Sequence, residues 1–338
     1  MNVKPGATKI LITGGCGFIG HHMVEHLIKN TNWHIIIFDK LTYASSGYDR
    51  LRDINCFDES RVSVFNHDII NPVPLGVVKE VGNLDYIVHL AAESHVDRSI
   101  EDPKPFVLSN VLGTMQILDF VRFYQTNLKK MLYFSTDEVF GPAPEGTAYK
   151  EDDRYNSSNP YAASKAGGEE LAVAYANTYK VPVMVSHTMN VFGERQHPEK
   201  FIPICIRKIL GGDMISIHAN KERTKAGSRF WIHARNVADA VVFLLSSGSW
   251  SEKYNIVGEV EIDNLKMAQT IGDFLGKEAK CVLTDFHGSR PGHDLRYALD
   301  GTKLKEMGFE YAKGFEQSLE KTIKWYIDNP KWLELNDA

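Results

Sequence analysis

The chain is poor in cysteine and spreads it thinly: Cys16, Cys56, Cys205 and Cys281 are the four in 338 residues. No two have the spacing of a metal site or a redox motif, so neither a zinc cluster nor a disulfide framework is expected, and a reducing compartment suits the chain. A large excess of either charge is missing too. The 38 basic and 43 acidic residues leave a net charge of -5, which argues against general affinity for nucleic acid or anionic membrane. No apolar run approaches the ~20 residues of a spanning helix, and the polar stretch before Ile10 is unlike a secretory signal. A cytoplasmic protein without nucleic-acid or membrane partners is the expectation. Repeats, low-complexity tracts and flexible linkers are also missing. His22 and His26 have the i, i+4 spacing of helical metal ligands, but no third ligand completes a set, so no metal is expected.

What is present is ordinary globular material. An apolar content of 43% and a charged content of 24% allow one large core or two smaller ones at this length. Short apolar runs recur at 9–13, 34–39, 62–68, 85–92, 130–136 and 183–189, mostly continuous rather than alternating. Such runs are strands buried on both faces. The segments between them, notably 21–29, 106–124 and 161–179, have helical pattern and crossover length. Strand alternating with helix predicts an α/β fold with a doubly wound parallel sheet, whose ligands bind beyond the carboxyl ends of the strands. From Glu194 onward the pattern is mixed, with 229–246 read as strand then helix and 254–257 as one more strand. The expected organisation is a nucleotide-binding domain over 1–190, to which 229–257 returns, and a smaller discontinuous mixed α/β domain from 191–228 and 258–338.

Gly14, Gly15, Gly17 and Gly20 follow the first strand and open a helix. Glycine serves where a chain turns tightly and its backbone must approach a diphosphate, and the helix N-terminus offers N–H donors and a positive dipole end. A glycine triplet alone is weak evidence. Here Asp39 ends the second strand 19 residues past Gly20, where a carboxylate accepts from ribose hydroxyls and repels a 2′-phosphate. The expected cofactor is therefore NAD, although Lys40 adjoins Asp39. Asp68, at the end of the third strand, is placed to meet the adenine. Ala91 and Ala92, ending the fourth, are small enough for close backbone approach.

Chemistry concentrates after the fifth strand. Thr136, Asp137 and Glu138 end an apolar run, and Tyr161 and Lys165 lie downstream at helical i, i+4 spacing after Asn159 and Pro160. A chain of this composition supplies about one Tyr-x-x-x-Lys match by chance, so the context carries the weight. Asn and Pro are good N-cap and first-turn residues, which places the pair at the opening of a helix and on one face. An ammonium beside the phenol is expected to lower the tyrosine's pKa from about 10 and let it take a proton near neutrality. An acidic pair after a strand is commonly a solvated turn. Beside a tyrosine–lysine pair and a dinucleotide loop it has a use: removing water next to a ketone needs a base for the C–H and an acid for the departing hydroxyl.

Together these residues resemble the extended short-chain dehydrogenases/reductases, and within them the nucleotide-diphosphate-glucose 4,6-dehydratases. The resemblance runs through residues 14–20, 39–44, 91–97, 135–141, 159–165, 198–203 and 290–294, and Thr-Asp-Glu is its discriminating part. It implies a Rossmann-type fold, a homodimer built on helices 106–124 and 161–179, and NAD held by Gly14, Gly17, Phe18, Ile19, Gly20, Asp39, Lys40, Thr42, Asp68, Ile69, Ala91, Ala92, Tyr161 and Lys165. It further implies that Tyr161, Lys165 and Thr136 oxidise C4, that Glu138 is the base at C5, and that Asp137 is the acid at C6. Ser94 and Val96, with Thr136, would lie near the sugar, Asn190 and Arg229 near the diphosphate, and Lys200, Asn255, Arg290 and His293 elsewhere in the nucleotide-sugar site. The implied reaction turns an NDP-glucose, dTDP-glucose first, into its 4-keto-6-deoxy derivative for deoxysugar or rhamnose synthesis.

The chain departs from the family pattern in three places. His21 and His22 stand where small residues are usual, residues 190–194 replace Asn-Asn-Tyr-Gly-Pro, and residues 217–227 replace a short Gly-rich turn. The last change leaves UDP-glucose as an alternative, since a pocket discriminates one methyl by only about 1–3 kcal/mol. An epimerase or decarboxylase of the same fold, which would leave Asp137 idle, and a non-catalytic NAD or sugar-nucleotide-binding regulator are the other readings.

Overall fold

Seven strands, most of them rich in apolar residues, lie side by side and all parallel in the computed structural model, which describes residues 6–285 and 295–334. In chain order the twelve strands among the described residues are β1 Lys9–Thr13, β2 His34–Asp39, β3 Val62–Asn66, β4 Tyr86–His89, β5 Lys130–Thr136, β6 Val183–Thr188, β7 Asn190–Phe192, β8 Ile215–Ala219, β9 Ser228–His233, β10 Lys253–Ile256, β11 Val260–Asp263 and β12 Cys281–Asp285. The large sheet has the order β10-β6-β5-β4-β1-β2-β3. Its reversal beside β1 opens a crevice over the carboxyl ends of β1 and β4.

Alternate side chains of each strand enter separate cores, which explains why the runs do not alternate with polar residues. Ile10, Ile12, Ile35 and Ile37 pack against the helices Phe18–Asn30 and Ala234–Ser247. Leu11, Ile36, Phe38 and Tyr133 pack on the other face against Gly113–Tyr124 and Pro160–Tyr179. A third core, with Ile206, Ile217, Trp231, Ile271 and Tyr326, belongs to the smaller part. There β9 joins β7 in parallel and β11 antiparallel, and β8 pairs with β12.

Four expectations shift. The strand at residue 229 does not return to the large sheet: β9 is in the three-stranded sheet, and the return is made by the following helix and β10. β4 stops at His89, so Ala91 and Ala92 lie in the loop beyond it. The helix over 106–124 contains a π-helical stretch at Val107–Leu112. That wider turn coincides with Asn110, whose buried amide bonds both backbone groups of Glu93 at 2.9 Å and the Ser164 hydroxyl at 2.8 Å. The segment Lys104–Tyr124 is long and apolar enough by composition to cross a membrane, contrary to the first reading of the runs, yet half of the apolar window is buried in this fold.

Candidate active site

A cavity of about 770 Å³ runs across the carboxyl ends of the strands. At one end lies the glycine loop. Gly14 has φ +74°, and a Cβ there would come within 2.9 Å of the Ala91 backbone; one on Gly20 would lie 2.1 Å from the Gly14 carbonyl. Both positions therefore require glycine. The 18–30 helix has no side-chain cap at its N-terminus, and its opening residues Gly17, Phe18 and Ile19 line the cavity, where uncapped N–H groups suit an anion. Asp39 Oδ2 accepts from the Cys16 N–H at 2.9 Å and Oδ1 from the Leu41 N–H at 2.8 Å, fixing the carboxylate at the rim. Burial raises its pKa, and those two N–H bonds oppose the rise. Lys40 pairs with Glu93 at 3.4 Å. These features form a cradle into which a dinucleotide diphosphate and an adenosine ribose fit.

Midway, β5 ends at Thr136 and a single 3-10 turn carries Asp137–Phe140. The Thr136 hydroxyl caps this turn, accepting from the Glu138 N–H at 3.4 Å and donating to Asp137 Oδ1 at 3.0 Å. Asp137 is buried, and its Oδ2 has no hydrogen-bond partner. Burial, then the Glu138 charge, pushes its pKa up to about 7, with Thr136 and Arg229 opposing. The adjacent carboxyls thus differ in surroundings: Asp137 is buried and keeps its proton up to about pH 7, while Glu138 is half-buried and held by Asn159, whose Nδ2 donates to Glu138 Oε2 at 3.0 Å. Asn159 also caps the 160–179 helix, its Oδ1 accepting from the Ala162 N–H at 2.8 Å. One amide therefore ties the acid pair to the helix bearing Tyr161 and Lys165. Sequence reading gave Asn159 only the capping role; the Asn-Pro-Tyr run was the available signal, but the bond to Glu138 spans 21 positions.

Lys165 does not act on Tyr161 as expected. Its Nζ donates to the Phe134 carbonyl at 2.6 Å and sits 4.4 Å above the Tyr133 ring; burial lowers its pKa to about 7. Burial, reinforced by Glu138, pushes the Tyr161 phenol well above its usual range, and the Thr136 hydroxyl opposes this. The expected lowering is corrected: a buried, weakened ammonium bound to a carbonyl does not offset two carboxyls and desolvation.

Of the other expected residues, Thr42, Ile69, Ala91, Ala92, Ser94, Val96, Asn190, Lys200 and Arg229 line the cavity. Arg229 is anchored by bonds from Nη1 to the Ser228 and Leu295 carbonyls and lies 4.5 Å from the Tyr297 ring centre. Asp68 is not among the lining residues; its carboxylate accepts from the Ile70 N–H at 3.2 Å. Asn255 is corrected as well. It is fully buried, its Nδ2 bonding the Tyr149 and Asp300 carbonyls at 3.0 Å and its Oδ1 facing His187, which leaves nothing for a nucleotide. Arg290 and His293 lie outside the described residues. Within 217–227 the cavity is reached by His218, and Asn220 closes the rest into a loop by accepting from the Thr224 and Lys225 N–H groups at 2.8 and 2.9 Å. His22 binds the Glu194 carbonyl at 3.0 Å, His26 meets Asp239 at 3.3 Å, and no metal cluster occurs among the described residues.

A doubly wound sheet with a glycine cradle, a Tyr/Lys helix and a split acid pair defines an extended short-chain dehydrogenase/reductase that modifies nucleotide sugars. The chain belongs to the GDP-mannose 4,6 dehydratase family, whose model matches residues 11–322. It is 37% identical to a dTDP-glucose 4,6-dehydratase of Escherichia coli, covering 96% of this chain and 94% of that one. It is 36% identical to the low-salt glycan biosynthesis protein Agl12 of Haloferax volcanii, covering 94% and 98%. The crystal structure of the dTDP-glucose 4,6-dehydratase DesIV from Streptomyces venezuelae, with NAD bound, superposes with a TM-score of 0.86 at 33% identity over 97% of this chain and 99% of that one. A Thermus thermophilus UDP-glucose 4-epimerase, also with NAD, superposes at 0.82 with 26% identity over 95% and 99%.

Proposed function

We propose that this protein is an NAD-dependent nucleotide-sugar 4,6-dehydratase that converts an NDP-glucose, dTDP-glucose first, into the NDP-4-keto-6-deoxy sugar. The observation that carries this is Asp137: a buried carboxyl with pKa near 7 and an unpartnered oxygen, beside Glu138 and Tyr161. An epimerase has no use for that acid.

NAD, held by the glycine loop and Asp39, would supply a hydride acceptor for C4 and, once reduced, a hydride donor for C6. The chain does the proton work. Tyr161 takes the C4 hydroxyl proton and Thr136 steadies the same oxygen. Its phenol is raised in this structure, and the positive charge of an oxidised nicotinamide favours the phenolate. The 4-ketone acidifies C5, from which Glu138, oriented by Asn159, removes the proton. Asp137 protonates the C6 hydroxyl as it leaves, and Glu138 returns its proton to C5. Lys165 fixes the Tyr161 helix against β5 through Phe134. Arg229 and Asn190 take the diphosphate, an anion suited to a planar guanidinium. Asp39 and the Lys40–Glu93 pair favour NAD over its 2′-phosphate.

Exposed Val107, Phe123, Tyr124 and Tyr179 lie on the two helices proposed to build a homodimer. The test of function is incubation with dTDP-glucose and, separately, UDP-glucose, followed by mass spectrometry. Loss of one water without net NADH supports the reading and shows the base preference. An isomer of unchanged mass points to epimerisation.

A further inference from the structure

Behind the Tyr161 helix lies a charged cluster that no step above uses. Glu169 and His187 are both fully buried, and His187 Nε2 stands 3.1 and 3.2 Å from the two oxygens of Glu169. The Tyr155 hydroxyl donates to the same carboxylate and accepts from Lys253 Nζ at 2.6 Å; Lys253 lies 3.1 Å from Glu169. His187 Nδ1 meets Asn255 Oδ1 at 3.0 Å.

Hydrogen-bond accounting fixes the protons. Asn255 Nδ2 faces two carbonyls, so it is the amide NH₂ and Oδ1 is an acceptor. His187 Nδ1 must therefore carry a hydrogen. The contact between Nε2 and a carboxylate then needs one more proton, which the pair shares. A buried ion pair is seldom the most stable filling for its space, because apolar side chains avoid the desolvation. Its geometry gives it another use.

Glu169 is four residues after Lys165 and eight after Tyr161, on the same face of the helix. His187 is on β6, and Lys253 and Asn255 are on β10. The ring of Phe140, which ends the turn carrying Asp137 and Glu138, meets His187 edge-on at 4.8 Å and Tyr155 at 5.1 Å. The cluster thus touches both catalytic elements, the helix through Glu169 and the turn through Phe140.

We infer that Glu169 and His187 are positioning residues, whose shared proton locks the Tyr161 helix and the Asp137–Glu138 turn in one relative placement. This rests on the dehydratase reading. In Glu169→Gln the amide can bond the same neighbours without the charge, so binding and fold should persist while the chemistry loosens. The kcat per NAD-loaded site is expected to fall at least about tenfold, since small misplacements cost that much or more, with KM for the nucleotide sugar within about twofold. Glu169→Asp should recover part of the loss.

An unchanged kcat in folded Glu169→Gln and His187→Gln proteins overturns the inference. Nitrogen-15 NMR of His187 in the unmodified protein needs no variant: a bare Nδ1 overturns it too. If the unmodified protein converts no nucleotide sugar, the functional reading fails first. The inference is then decided by the ring carbon-13 NMR signals of Tyr161 at neutral pH, identified by difference from Tyr161→Phe. Signals displaced in Glu169→Gln support it, and coincident signals overturn it.

Discussion

At the scale of single residues, Asp137 carries the argument. Burial and Glu138 lift its pKa to about 7, so below that pH it is a proton donor and above it a second carboxylate. Elimination should therefore weaken as pH rises through about 7, while ketone formation at C4 continues. Asp137→Asn removes the acid and keeps the shape; dehydration should fall about 10²- to 10⁴-fold, the usual worth of a general acid. Rapid mixing with substrate should then show NADH accumulating, as seen by absorbance. Stability supplies an independent check. An unfolded aspartate releases its proton near pH 4, whereas the folded one holds it to about 7, so the folded state binds more protons between these values and stability falls as pH rises across them. Asp137→Asn should accordingly melt higher than the parent at pH 8 and about the same at pH 4. Equal melting curves at pH 8 would count against a raised carboxyl. The Tyr161–Lys165 pair shows the limit of spacing: the i, i+4 relation placed the two on one face, but only the Phe134 carbonyl at 2.6 Å reveals where the ammonium points.

Asn159 joins the residue scale to the scale of elements, because it caps one helix and holds the base of another turn. Asn159→Asp retains the cap acceptor yet sets a carboxylate against Glu138, so the helix should survive while kcat drops. Asn159→Ala loses both, and should cost about 0.5–2 kcal/mol of stability from the cap alone; urea unfolding of the two variants separates the effects. In the sheet, Ile36→Ala removes a fully buried side chain and should cost about 2–5 kcal/mol by the same measurement. The centre of the seven-stranded sheet was legible in the sequence because strands buried on both faces, such as β1 and β2, leave long apolar runs. The glycine loop was legible because backbone approach admits no Cβ. The π-helical turn was not, since nothing in 107–112 breaks the helical pattern; the bonds of Asn110 to Glu93, 17 positions away, accompany it. Nor was the affiliation of β9, whose run is apolar like the others but whose partners are β7 and β11. The Glu169–His187 cluster was invisible for the same reason: its hydrogen-bonded pairs stand 14 to 98 positions apart.

For the whole molecule, the question is what covers the helical segments 107–124 and 160–179 on the side away from the sheet. Phe123 is 58% exposed, Val107 52%, Tyr124 44% and Tyr179 43%, and Arg122 lies over the rings of Phe123 and Tyr179 at 4.7 and 3.7 Å. A guanidinium stacked on aromatic faces is suited to an interface, where it covers apolar surface and keeps its charge directed outward. Stable association needs roughly 800 Å² per partner, to which the exposed Val107, Phe123, Tyr124 and Tyr179 side chains would contribute. Phe123→Glu puts a charge into that face without touching the core, where Ile117, Leu118, Phe120 and Val121 are buried. Sedimentation should show the parent as a dimer and the variant as a monomer with an unchanged circular dichroism spectrum. A parent that sediments as a monomer at micromolar concentration would remove the dimer from the reading. The catalytic consequence separates dimerisation from catalysis. The Asp137–Glu138 turn, Tyr161 and the cavity are built within one chain, so the monomer should retain kcat and lose thermal stability. A monomer that binds NAD and loses kcat would instead mean that contact across the 160–179 helix sets the placement of Tyr161.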